Sequence, residues 1–241
     1  MPVVFVHGVP DTPRVWNAVV SRLDRSDVVT LSLPGFGCPL PEGFSAAKEA
    51  YVDWLLGQLT AVSGPIDLVG HDWGGLLVVR SVSLRPDIVR SWAAGGAPLD
   101  SEYKWHQAAR AWQTPEVGER VMAGLTPAAL QSALEAAGVP AADAAEAARN
   151  VDATMKQCIL TLYRSAVHAG SEWENDLRRI SAPGLVLWGE DDPYASVSFG
   201  ARLAERARAK LVSFPRCSHW WQLQRPAEVA RELQSFWAAA S

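Results

Sequence analysis

The chain predicts an α/β architecture: a mostly parallel sheet flanked by helices, with an inserted all-helical segment. Three observations carry this. Short apolar runs of strand character alternate with segments of helical spacing. The alternation stops after Pro98 and returns only near Pro183. Between Pro65 and Val82, the run Ile66-Asp67-Leu68-Val69 passes through Gly70-His71-Asp72-Trp73-Gly74 directly into an apolar helical stretch.

The expected strands are Val3–Val6, Val28–Leu31, Ile66–Val69, Val89–Ala93, Leu185–Trp188 and Leu211–Phe214. Thr12 and Pro13 form a cap and first turn ahead of Val15–Leu23, and Ala46–Val62 and Ala195–Ala209 carry apolar residues at helical spacing. Leu76, Leu77, Val78, Val79 and Val82 read as one buried helix. Strands alternating with helices imply parallel pairing, because each crossover must return to the same end of the sheet. In the interrupted region the expected helices are Glu102–Trp112, Glu116–Gly124, Pro127–Ala137, Ala141–Arg149, Asp152–Ala169 and a short Glu172–Ile180. The resulting organisation is a core over 1–98, a helical cap or lid over 99–181, and the rest of the core over 182–241.

Composition narrows the function classes. The 241 residues are 49% hydrophobic and 20% charged, an ordinary globular balance with room for one large core. A net charge of −4 without a dense Lys/Arg patch argues against a nucleic-acid partner. No apolar stretch approaches the roughly 18–20 residues that span a bilayer, so no membrane association is expected. The opening residues are too short and uncharged for a secretion signal. Three scattered cysteines, Cys38, Cys158 and Cys217, fit a reducing compartment, so a cytoplasmic protein is expected. Eleven tryptophans are many for this length and suit a large apolar pocket as well as a core.

Four separated pieces carry chemistry. At Gly70–Gly74 the strand, sharp turn and helix form a nucleophile elbow, with glycines flanking the residue that the strained turn exposes. A serine there would need a base to remove its proton and would suit acyl transfer. Asp72 is already ionised at neutral pH and can attack a saturated carbon directly, leaving an ester on the enzyme. The bland alternative is a tight turn in which aspartate merely caps a helix. After the first strand, Val6-His7-Gly8-Val9-Pro10 can present the Val9 N–H beside that of Trp73, two donors for an oxyanion. Trp188-Gly189-Glu190-Asp191-Asp192 delivers acids just past a strand, where the orienting carboxylate of a triad belongs. His219, after the last strand, completes the order nucleophile, acid, histidine. His7 and His71 lie in the motif loops and suit packing and support, whereas His168 reads as structural or surface.

These pieces resemble the α/β-hydrolase fold, and within it the branch with an aspartate nucleophile: epoxide hydrolases, with haloalkane dehalogenases as relatives. The similarity covers Val3–Leu99 and Pro183–Trp237 and includes Pro34-Gly35-Phe36-Gly37. Most relatives have a β-hairpin ahead of the first parallel strand; this chain begins almost on that strand, so the fold should lack those N-terminal hairpin strands. Family spacing puts the acid three residues after Gly189, at Asp192 in preference to Asp191. Leu160-Thr161-Leu162-Tyr163 resembles the lid segment that supplies a proton donor to the opening epoxide. Trp105-His106 resembles a variant in which histidine replaces the family's other lid tyrosine, and Tyr103 is the alternative.

The resemblance therefore implies hydrolysis of a small neutral epoxide to a vicinal diol: Asp72 as nucleophile, His219 and Asp192 activating water, Tyr163 and His106 as donors. Val9, Trp73 and Tyr103 would bind substrate or the oxyanion. Neither metal nor organic cofactor is implied; the partners are the epoxide and water. A haloalkane dehalogenase would use the same triad, with Trp73 holding halide, although many such enzymes carry Asn where this chain has Val9. Trp73 stands where fluoroacetate dehalogenases carry arginine, which disfavours an anionic substrate. A non-catalytic binding protein on the same fold is the third reading. Oligomeric state stays open, an exposed apolar lid being a face on which a homodimer could form.

Overall fold

The computed structural model describes residues 1–240. Its sheet has six strands: β1 (Val3–Val6), β2 (Val28–Leu31), β3 (Ile66–His71), β4 (Val89–Gly95), β5 (Gly184–Gly189) and β6 (Lys210–Phe214). They lie in the order β2-β1-β3-β4-β5-β6, and all five pairings are parallel. No antiparallel hairpin precedes β1 among the described residues.

Twelve α-helices follow the chain: α1 (Asn17–Val20), α2 (Lys48–Thr60), α3 (Trp73–Leu84), α4 (Gln107–Gln113), α5 (Val117–Gly124), α6 (Pro127–Ala136), α7 (Ala141–Ala148), α8 (Ala153–Ser165), α9 (Ala169–Trp173), α10 (Val197–Arg206), α11 (Trp221–Gln224) and α12 (Pro226–Ala239). Side chains alternate across each strand, so every inner strand feeds two cores. Val4, Val6 and Leu68 pack with Tyr51, Leu55 and Leu77 of α2 and α3. Val3, Phe5 and Val69 pack with Trp16, Trp221, Leu233 and Trp237. Burial on both faces is why β1, β3 and β5 read as near-continuous apolar runs. The charged exception is Asp67 on β3, fully buried yet accepting from Ser91 Oγ at 2.6 Å, Arg90 Nη2 at 2.6 Å and Arg25 Nη1 at 3.0 Å.

Between β4 and β5 the chain is helical throughout, from α4 to α9 with a 3-10 segment over Glu174–Arg179. Two of the expected helices are shorter. The one expected from Glu102 starts at Gln107, because His106 caps it: its Nδ1 accepts the Ala109 N–H at 3.3 Å, while Asp100 holds the preceding turn through Glu102 N–H. The one expected to reach Ala169 ends at Ser165, and a turn separates it from α9. Likewise the helix expected over Val15–Leu23 is a 3-10 turn, Pro13–Trp16, followed by the single turn of α1.

The helical segment is tied down at several points. At its start, buried Asp100 accepts from Arg202 Nε at 2.6 Å and Arg206 Nη1 at 2.8 Å on α10. Near its end, Asp176 pairs with Arg80 of α3 at 2.6 Å, and Lys48 of α2 pairs with Glu172 at 2.9 Å. In its middle, the α6–α7 turn is held by Gln224, whose Nε2 donates to Gly138 O at 2.6 Å, and by Ser218, which donates to Ala137 O.

Candidate active site

Parallel strands all end on one edge, and the candidate residues gather at the C-terminal ends of β1, β3 and β5 and after β6. Asp72 sits between β3 and α3 with φ 53° and ψ −124°, a conformation that costs a non-glycine residue about 1–3 kcal/mol. The surrounding packing enforces it. A Cβ on Gly74 would lie 2.3 Å from Val6 O, and one on Gly8 would lie 2.4 Å from Asp72 Cβ. Only glycine lets β1's loop and the helix start close around the aspartate.

The Asp72 carboxylate faces two ways. Oδ1 accepts the Val9 N–H at 2.8 Å, and Oδ2 lies 3.6 Å from His219 Nε2. His219 Nδ1 is 2.7 Å from Asp192 Oδ2, so the imidazole donates its Nδ1–H hydrogen bond to the Asp192 carboxylate and turns Nε2 toward Asp72. Asp192 Oδ1 accepts the N–H groups of Tyr194 at 2.8 Å and Ala195 at 3.0 Å. Asp191 and Glu190 point elsewhere: both are exposed, and Glu190 pairs with Ser213. Burial alone would lower the His219 pKa, but Asp192 and Asp72 on either side push it up to about 10. Burial also opposes ionisation of Asp72 and Asp192; the His219 hydrogen bond and charge outweigh it, and both carboxylates fall below their ordinary range. The resting arrangement is an imidazolium between two carboxylates.

Opposite Asp72 a cavity of about 280 Å³ opens beneath α4, α5, α6 and α8, walled chiefly by aromatic and aliphatic side chains. Tyr163 on α8 and His106 at the α4 cap both line it. Tyr163 packs edge-on against Trp73 at 5.5 Å, Trp105 at 5.3 Å and Trp112 at 4.8 Å. Burial first, then the Asp72 charge, raise the Tyr163 pKa well above the usual phenol, so it is a neutral O–H. Burial lowers the His106 pKa. Because His106 Nδ1 accepts the capping N–H, its neutral ring carries the proton on Nε2 and can donate from there. Tyr103 also lines the cavity, but its hydroxyl donates to Tyr194 O at 3.2 Å and is already used. Trp73 stacks on Trp105 at 6.0 Å; its buried indole N–H has no hydrogen-bond partner, whereas that of Trp105 donates to Val167 O at 3.3 Å.

The remaining histidines fill other roles. His7 accepts the Leu33 N–H at Nε2 and donates from Nδ1 to Gly8 O, fixing the loop after β1. His168 is exposed. Two site neighbours escaped the sequence reading. Tyr194, two residues past Asp192, packs on both His219 at 5.1 Å and His106 at 4.9 Å. Asp11, in the loop after β1, is buried behind His219. The Asp-Pro-Tyr spacing could have flagged Tyr194; nothing local marks Asp11 as buried. No cluster of metal-ligating side chains occurs among the described residues, and no helix among them is long and apolar enough to cross a membrane.

Fold and site together define a hydrolase of the α/β class. The chain belongs to the Alpha/beta hydrolase family, which it matches over residues 3–232. It is 24% identical to the (E)-2-((N-methylformamido)methylene)succinate hydrolase of Acinetobacter baylyi, covering 98% of this chain and 89% of that protein. It is 23% identical to epoxide hydrolase 3 of Xenopus tropicalis, covering 97% and 70%. Among solved structures, haloalkane dehalogenase DbeA of Bradyrhizobium elkani superposes with a TM-score of 0.80 at 20% identity, over 99% of this chain and 91% of that one. The structural likeness is one of fold.

Proposed function

We propose that this hydrolase converts small, neutral, largely apolar epoxides to vicinal diols. The observation that carries the reading is the ionised Asp72 carboxylate across an apolar cavity from two neutral donors, the Tyr163 O–H and the His106 Nε2–H. Asp72 Oδ2 attacks a ring carbon, the C–O bond breaks, and the alkoxide takes a proton from Tyr163 or His106. Oδ1, already on the Val9 N–H, becomes the ester carbonyl oxygen. The donor recovers its proton from the His219 imidazolium, whose neutral ring, with Asp192 behind it, then takes a proton from the water that attacks that carbonyl. Val9 and Trp73 N–H groups hold the oxyanion, each worth about 3 kcal/mol; as it collapses the ester C–O bond breaks, the departing alkoxide takes the remaining water proton from the new carboxyl group, and the diol leaves Asp72 ionised. Residues 99–181 serve as a lid that keeps bulk water from the ester.

The unpartnered Trp73 indole N–H beside the nucleophile favours a second reading, in which it holds a departing halide. That reading is weaker: Val9 offers no side-chain donor, and the Trp105 N–H is committed to Val167.

His219→Gln separates the two steps. Styrene oxide, cyclohexene oxide and bromobutane are each incubated with the variant, and the Asp72 peptide is weighed. The expected result is an adduct with the mass of an epoxide on Asp72; an unmodified peptide from an enzyme whose wild type turns that epoxide over sinks the mechanism.

A further inference from the structure

Behind the triad lies a second carboxyl-histidine pair that the mechanism above does not use. Asp11, 4% exposed, takes the Trp220 indole N–H on both oxygens, at 3.2 and 3.1 Å. Its Oδ2 is 3.8 Å from Nδ1 of fully buried His71. The other nitrogen of His71 lies 3.0 Å from His219 O; a carbonyl only accepts, so Nε2 carries the proton and Nδ1 is a bare lone pair. That Nδ1 has no hydrogen-bond partner. Two of the rings beside His219 are ones that Asp11 faces: His71, 4.6 Å from the His219 ring, and Trp220, 4.9 Å from it.

We infer that Asp11 is a positioning residue for His219: its carboxyl, bonded to the Trp220 indole and facing the His71 ring, fixes the His219 main chain through His71 and its flank through Trp220. This rests on the proposed ester mechanism, in which His219 must aim water at the Asp72 carbonyl. A carboxylate oxygen facing a ring lone pair is repulsive in a buried site, and a proton on the carboxyl relieves it. The electrostatics agree. Burial raises the Asp11 pKa to about 7, against the Trp220 hydrogen bond and with the Asp72 charge adding to it. Burial, then the His219 charge, lower that of His71 to about 3. On Asp11 the His219 charge acts the other way, lowering its pKa; the remaining ionisable groups around Asp11 are Arg14, Asp143 and Glu146, which share a small cleft with it, and Arg14 pairs with Glu146 at 3.1 Å. None of these lies between Asp11 and His71 in the contacts above.

The test uses pre-steady-state styrene oxide turnover by the full chain, timing formation and decay of the Asp72 ester separately. Asp11→Leu leaves Trp220 N–H and His71 Nδ1 without a polar partner; ester decay should slow about tenfold or more while ester formation stays within about threefold. Asp11→Asn can still accept from Trp220 and can donate to His71; decay should recover to within about threefold of wild type and lose its pH dependence around pH 7. Equal slowing by Leu and Asn, or an unaltered decay rate in both, overturns the inference. Nitrogen NMR of histidine-labelled protein gives a readout that needs no turnover and only the Asn variant. The His71 Nδ1 resonance should move with pH near 7 in wild type and stay still in Asp11→Asn; a resonance indifferent to that substitution overturns the inference even if no epoxide is a substrate. Absence of any Asp72 ester, with the His71 signature present, would instead fault the proposed reaction alone.

Discussion

At Asp72 the charge state changes during the proposed cycle, and His219 changes with it. While Asp72 is ionised, two carboxylates hold the imidazolium; once it is an ester, one of them is neutral and the His219 pKa falls. A proton is then released or passed on, and the imidazole is free to act as base when water must be activated. The donors are separable by substrate. Tyr163→Phe removes an O–H that an epoxide alkoxide needs and a halide does not. Epoxide opening should slow about hundredfold, read as single-turnover ester formation, while any haloalkane turnover stays near wild type. Equal losses would mean that Tyr163 serves only packing. Much at this scale was legible from spacing. Asp72, His219 and the acids after β5 each sit one short turn past a strand, so strand order brings them together; the choice of Asp192 among those acids came from the family resemblance. His106 was only half legible: its place near Tyr163 came from resemblance, but its tautomer comes from capping Ala109, and histidine is a poor cap signal. Asp11 was illegible, because its burial depends on Trp220, most of the chain away.

The elbow is the element on which the site turns, and small residues decide whether it can form. Gly74→Ala would drive a methyl into Val6 O, a backbone atom of the central strand that cannot swing aside. Chemical denaturation should register a loss of about 2–3 kcal/mol, and the Val9 N–H contact to Asp72 should break, with activity lost beyond the stability effect. A fully active, equally stable variant would mean the turn is looser than its geometry. Strands were the easiest elements to read, since β-branched residues buried on both faces leave a plain signature and glycines close β4 and β5. Helix ends between β4 and β5 were harder. Ala-rich sequence favours helix everywhere, so stops are set by tertiary contacts such as Ser165, whose hydroxyl accepts the Lys48 N–H at 2.8 Å. The C-terminal helix α12 drew no separate expectation, although its apolar face covers β1 and β5.

Across the whole molecule, buried ionisable groups make stability depend on pH in a stated direction. His219 is raised from 6.5 to about 10, so its contribution is complete below 6.5 and is lost as pH rises through 10. Asp11 is raised from 3.8 to about 7; the folded state binds a proton that the unfolded state has released, so stability falls as pH climbs across that interval. Asp72 and Asp192 are lowered, and their contribution disappears in acid, as pH drops through their folded values below 3.8. His7 and His71, kept neutral by burial down to about 4 and about 3, add stability as pH rises toward 6.5, so calorimetry should find the highest Tm close to 6.5, with a decline toward pH 10. Asp11→Asn removes the one loss in the range below pH 7 and should steepen the rise there, whereas His219→Gln should flatten the decline above 6.5. A Tm that climbs from neutral to alkaline pH would contradict the charge arrangement. The tethers of the helical segment have a consequence for traffic. With Asp100, Ala137, Gly138 and Asp176 all fastened to the core, the roof has no loose end to swing. A molecule bound for Asp72 then enters between the exposed cavity-lining residues, Ala108, Val121 and Ala133, a doorway of fixed width. Cross-section, judged at that doorway, then sorts candidates before Asp72 meets any of them.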